Sequence, residues 1–158
     1  MKKIKVFLGG TCNGSLWRNQ LIPMLKENID AFNPVVENWT PECQIKEVEE
    51  RESSDFVIYT ITPKMTGVFA IAEVVEDSNK RPSKTIFCVL NEDEDVKFES
   101  HQIKSLDAVK KLVKNNGAVV FNTLADVADA LNFHTQIVNS TAMLIKLNHE
   151  KENKFVGR

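Results

Sequence analysis

Cysteine is scarce and unpatterned: Cys12, Cys43 and Cys88 are an odd number at wide, unrelated spacings, which fits reduced thiols in a cytoplasmic protein rather than a disulfide frame or a zinc site. Histidine is equally sparse. His101, His134 and His149 stand far apart with no metal-ligand spacing, so neither a metal nor another cofactor is expected. Basic excess is also missing, since 20 Lys and Arg face 22 Asp and Glu, and duplex nucleic acid is not the expected partner. No apolar run approaches membrane-spanning length, and Met1-Lys2-Lys3-Ile4-Lys5 leads into strand-like residues without a continuous apolar stretch. Secretion and a membrane partner are therefore not expected. Repeats and low-complexity blocks are absent. What is present is a chain of 158 residues, suited to one domain with a proper core.

The most informative stretch is Phe7-Leu8-Gly9-Gly10-Thr11-Cys12-Asn13-Gly14-Ser15. It joins a β-type segment, Ile4 to Leu8, to a glycine-rich turn and then to an amphipathic segment from about Leu16, the arrangement in which α/β sheets hold anionic ligands. Glycines permit close backbone approach, Thr11, Asn13 and Ser15 add short polar side chains, and Arg18 lies one turn into the helix, within reach of an oxyanion. The loop is neither G-x-G-x-x-G nor G-x-x-x-x-G-K-[ST], so it specifies neither a dinucleotide nor a triphosphate.

Further along, Leu16 to Asn28 predicts a helix capped by Ser15, Asn33 to Val36 a short extended piece, and Thr40-Pro41 the start of a charge-rich, solvent-facing helix to about Ser53. Asp55 to Ile61 is an almost continuous β-branched and aromatic run, as in a strand buried on both faces at the centre of a sheet. A loop through Gly67 leads to a helix over Val68 to Asn79 with Val68, Ile71, Ala72 and Val75 on its core face. Lys84 to Leu90 predicts a strand, Asn91 to Ser100 an acidic loop, Ser105 to Asn115 a helix, Ala118 to Phe121 a fifth strand, and Thr123 with Asp126 the box opening a last helix to about Asn132. This alternation predicts an α/β, flavodoxin-like or Rossmann-like three-layer fold with a five-stranded parallel sheet. The repeat fills residues 1–133. Residues 134–158 form an extension, in which Thr141 to Leu147 is apolar enough to pack and Asn148 to Arg158 is charged and frayed.

In such a sheet the loops after strands one, three and four converge on one crevice. That brings together Gly9 to Ser15, the loop with Met65, Thr66 and Gly67, and the start of the next helix, where Glu73 can look back as a nucleophile or general base. Taken alone, Glu73 also reads as an ordinary surface glutamate, Asp55 as a turn residue at the mouth of its strand, and Arg18 as a solvated side chain. Trp17 and Trp39 read either as core residues or as platforms for a nucleobase. Cys12 has loop amides to activate it but no histidine nearby in sequence, which leaves cysteine chemistry a third option.

Lys5 to Asn13 as a strand with a Gly-Gly-Thr exit, the acid-headed strand Asp55-Phe56-Val57-Ile58-Tyr59, and Pro63-Lys64-Met65-Thr66-Gly67 followed by Ala72-Glu73-Val74-Val75 together resemble the nucleoside 2-deoxyribosyltransferase-like family, most of all its small phage and bacterial branch. The resemblance covers about residues 4–90. It implies a homo-oligomer with shared sites that cleaves the N-glycosidic bond of a (deoxy)nucleoside or its monophosphate by a retaining displacement. It maps the family nucleophile onto Glu73, with Glu76 a weaker substitute, and a base-contacting acid onto Asp55. Gly9, Gly10, Thr11 and Asn13 correspond to the loop around the sugar or 5'-phosphate. Better-studied members place the glutamate about four residues after the loop glycine and a further glycine two residues later, whereas Gly67 and Glu73 are six apart and Val75 stands in the second place. Two other functions fit the same pocket: a non-catalytic protein that binds or sequesters nucleotide derivatives, and an NAD glycohydrolase.

Overall fold

A computed structural model describes residues 3–12 and 14–156. The expectations for Asn13, and for the chain ends at residues 1–2 and 157–158, lie outside the described residues. Five strands form one parallel sheet: β1 (Ile4–Gly10), β2 (Ile29–Phe32), β3 (Phe56–Ile61), β4 (Thr85–Val89) and, after a small β5 (Glu92–Asp93) and β6 (Val96–Lys97) hairpin, β7 (Val119–Phe121). Their spatial order is β2-β1-β3-β4-β7, with β5 and β6 pairing separately. Every pairing in the large sheet is parallel, with Val6 opposite Phe56 and Val57 opposite Thr85. This is the flavodoxin-type order, and its switch point falls between β1 and β3.

The helices are α1 (Trp17–Leu21), α2 (Pro41–Ser53), α3 (Phe69–Lys80), α4 (Ser100–Asn115) and α5 (Leu124–Val156). Because side chains alternate along a strand, β1 sends Ile4, Val6 and Leu8 to one face, where they meet Trp17, Leu21, Val127 and Leu131 of α1 and α5. Phe7 goes to the other, with Tyr59, Val74 of α3 and Leu106 and Val113 of α4. Two apolar layers thus sandwich the sheet. Val57, Ile58, Tyr59, Thr60 and Ile61 of β3 are all fully buried, as the continuous apolar run predicts.

Local chemistry shifts several boundaries. The second strand is Ile29–Phe32, not 33–36, because Asn33 Oδ1 accepts the Val35 N–H to make a turn and Pro34 has no donor for a ladder. The first helix ends at Leu21 and gives way to a 3-10 turn over Ile22–Met24, where Pro23 removes a donor. Ser15 does not cap it; its Oγ bonds Asp93 instead. The acidic loop contains the β5/β6 hairpin, and α4 starts at Ser100, where Glu99 and Gln102 form a capping box. On α3 the inward face is Val74, Asp77 and Ser78, while Val68 is 71% exposed and Ala72 is exposed as well. Ile71 and Val75 pack on the core at partial burial, and the helix turns Asp77 and Ser78 inward beside Val74.

The last helix does not stop near Asn132 but continues unbroken to Val156. Thr135 is fully buried, yet every residue from Ser140 to Leu147 is exposed, Met143, Leu144 and Ile145 by more than half. Thr141 to Leu147 is thus exposed along its whole length and runs clear of the sheet. Among the described residues no helix is long and apolar enough to cross a membrane.

Candidate functional site

At the carboxyl ends of β1 and β3 lies a cleft of about 230 Å³. Gly9, Gly10, Thr11 and Cys12 form one wall, Met65, Thr66 and Gly67 a second, and Phe69, Ala70 and Glu73 of α3 a third, closed by Arg18, Pro34 and Glu47. The glycine wall is built to fit. Gly10 has φ +118°, and a Cβ there would stand 2.1 Å from the carbonyl oxygen of Thr60 on the neighbouring strand; only glycine allows that approach. A Cβ on Gly9 would meet the Tyr59 ring at 2.7 Å. Thr11 is locked in place, its N–H donating to Thr60 O and its Oγ1 accepting from Thr62 N.

Arg18 is a builder of this wall. Its side chain is buried, Nε donates to Leu8 O at 3.0 Å, Nη1 to Thr11 O at 2.7 Å and Nη2 to Gly10 O at 3.5 Å. Burial lowers its pKa from the usual arginine value. The guanidinium therefore serves loop carbonyls, although it also borders the cleft. Trp17 is likewise structural, buried with Nε1 donating to Thr11 O. Trp39 is 62% exposed and does not line the cleft; the aromatic side chain that does is Phe69, 74% exposed. Ser15 is outside the cleft and ties the loop to the hairpin through Asp93, while Lys64 bonds Gly14 O and Glu94.

Glu73 does reach the cleft, in the second turn of α3, with its side chain 13% exposed. Burial pushes its carboxyl up to about 7, with Arg51 opposing and Glu47, Asp77 and Glu76 reinforcing the rise. Beneath it, Asp77 is fully buried. Arg51 Nε donates to Asp77 Oδ2 at 2.9 Å and the Tyr59 hydroxyl donates to the same oxygen at 2.6 Å. Arg81 Nε stands 3.0 Å from Asp77 Oδ1, an ion pair by distance that is aligned too poorly for a hydrogen bond. Burial and that hydrogen bond raise the Tyr59 hydroxyl, so it stays protonated. Glu47, across the cleft on α2, is also raised by burial, with Arg18 and Arg51 opposing.

Asp55 is not brought to this place. It precedes β3, and the amino end of a parallel strand lies at the opposite edge of the sheet from the crevice. There its carboxylate accepts the Lys5 N–H at 2.9 Å, next to His134 and Val138 of α5. Glu47, Arg51, Asp77 and Phe69 also build the site, though none of them stands out in the sequence by itself. A signal for the first three exists: Glu47 and Arg51 are four apart on one helix, Glu73 and Asp77 four apart on another, so each pair shares a face.

A search of curated proteins finds no match to the chain. The family model described as "Nucleoside 2-deoxyribosyltransferase like" matches residues 3–92, a span that runs from β1 through α3 and β4 and holds every wall of the cleft. With more than half of its 158 residues matched, the chain belongs to the nucleoside 2-deoxyribosyltransferase like family.

Proposed function

We propose that the chain is an N-glycosyl transferase or hydrolase acting on a (deoxy)nucleoside or nucleoside monophosphate, with Glu73 as nucleophile. The observation that carries this reading is the position of Glu73: a carboxylate from α3, largely shielded, facing the glycine wall across a cleft of nucleoside scale. Family membership makes nucleoside glycosyl transfer the chemistry to test first. In the step proposed, a Glu73 oxygen bonds C1' as the C1'–N bond to the base breaks, the departing base takes a proton from water, and the acceptor later returns its own proton to water. An acceptor base or water then displaces the glutamate from C1', and the carboxylate is regenerated with overall retention. Phe69 offers a face on which the base can stack, and the loop from Gly9 to Cys12 abuts the sugar.

The test is a screen of nucleosides and monophosphates, with and without an acceptor base, on the native chain and on Glu73→Ala. Base release by the native chain, lost in the variant while its circular dichroism is unchanged, supports the reading. Full residual activity in Glu73→Ala removes Glu73 from the mechanism. The wider spacing between Gly67 and Glu73 favours a second reading, a protein that binds the nucleotide without consuming it. Calorimetric binding with the ligand recovered intact would decide for that alternative.

A further inference from the structure

Glu73 shares its end of the cleft with a cation that is itself held by other groups. Arg51 Nη1 lies 3.5 Å from Glu73 Oε1, longer than the roughly 2.7–2.9 Å of a charge-assisted hydrogen bond. The same guanidinium donates to Asp77 at 2.9 Å, to Glu76 Oε2 at 2.7 Å and to the Glu73 backbone carbonyl at 3.4 Å. We infer that Arg51 is a positioning residue for Glu73, holding the carboxylate toward the cleft and favouring its charged form, while Asp77 and Glu76 prevent the cation from closing onto it. The role in catalysis rests on the reading of Glu73 as nucleophile; the control of its charge does not.

Three features support this. A cation within about 4–6 Å favours the ionised carboxylate, and a nucleophile must be ionised, yet a tight two-pronged pair would occupy the oxygens needed to attack C1'. Fixing Arg51 on two other acids resolves the conflict. Charge balance points the same way: the connected cluster has three cations, Arg51, Lys80 and Arg81, against four carboxylates, Glu52, Glu73, Glu76 and Asp77. Esterification of Glu73 removes one negative charge and leaves the cluster neutral, so no buried cation loses its partner when a glycosyl-enzyme forms. Finally, the clamp is rigid, because Asp77 is fully buried and also accepts the Tyr59 hydroxyl. The groups facing Glu73 are then Arg51 and Glu47 from α2, Glu76 and Asp77 from α3 and Tyr59 from β3, with Arg18 and Cys12 on the far wall.

The experiment is a carboxyl-carbon NMR titration of glutamate-labelled protein, with the Glu73 signal assigned by its loss in Glu73→Gln. Arg51→Met should raise the Glu73 midpoint by about one pH unit or more, and Arg51→Lys should restore part of that rise. Glu76→Gln, which removes a negative neighbour and frees Arg51 to lean on Glu73, should lower the midpoint. If Arg51→Met does not fold, the opposite displacements in Arg51→Lys and Glu76→Gln carry the test. Unchanged midpoints overturn the inference, whatever the enzyme does. The acid limb of base release against pH should track each midpoint. Midpoints that move as described in a chain that releases no base from any nucleoside uphold Arg51's control of Glu73 and defeat the glycosyl-transfer reading instead.

Discussion

A carboxyl buried in a cleft makes the fold pay at high pH, and Glu73→Gln should reveal how much. In the folded chain Glu73 titrates at about 7, against an ordinary value of 4.5. The folded state therefore binds the proton more tightly than the unfolded chain. Its favourable contribution is complete below about pH 4.5 and is lost as the pH rises through 7. A displacement of one pH unit is worth about 1.4 kcal/mol, which makes about 3.5 kcal/mol the upper bound for ionising Glu73 in place. The cleft is open to water on one side, and solvent screening brings the expected figure to about 1–2 kcal/mol. Glutamine mimics the protonated acid in shape and charge. Denaturant unfolding of both proteins should thus give nearly equal stabilities near pH 5, and a variant that is more stable by about 1–2 kcal/mol near pH 8.5. The difference between the two pH values is the quantity that matters, since any packing change cancels from it. A stability difference that does not vary with pH, or that favours the native chain at pH 8.5, would refute the reasoning.

Two further substitutions test the glycine wall. Gly10→Ala should cost roughly 4 kcal/mol or more and be read as a collapse of thermal stability, because its Cβ would overlap Thr60 O at 2.1 Å. Gly14→Ala, at φ +67° with open space around its Cβ, should cost only about 1–2 kcal/mol; equal melting losses in the two would contradict the close-approach argument. Arg18→Met should lose about 1–2 kcal/mol by denaturant unfolding, since Leu8 O loses its arginine donor while Thr11 O keeps the Trp17 indole. A loss confined to ligand affinity would instead make Arg18 an anion clamp.

The central strands β3 and β4 were legible because β-branched and aromatic residues cluster where both faces are covered, whereas the short β2 and the β5/β6 hairpin carry no such run. The glycine loop and Glu73 were legible as local patterns on those strands' exits. Arg51 and Asp77 were not, because each looks like a solvated charge on its own helix, and what buries them is the meeting of α2 with α3. On α3, Ile71 and Val75 pack on the core, but Val68 and Ala72 stay exposed, and Asp77 with Ser78 takes the innermost positions because their partners lie on neighbouring elements. Arg18 was placed correctly at the loop, while the direction of its guanidinium depends on three carbonyls that only the folded turn presents. The misplacement of Asp55 was avoidable from strand direction alone, because an acid preceding a parallel strand stands at its amino end.

The overhang of α5 also shapes how the chain opens. From Ser140 to Leu147 every residue is exposed, on a stretch of helix that has left the sheet. Helical turns without tertiary packing open more readily than packed ones, so amide hydrogens of Ser140 to Leu147 should exchange with solvent deuterium before those of Leu124 to Thr135. Those of β1, β3 and β4 should yield together and last, as one cooperative block.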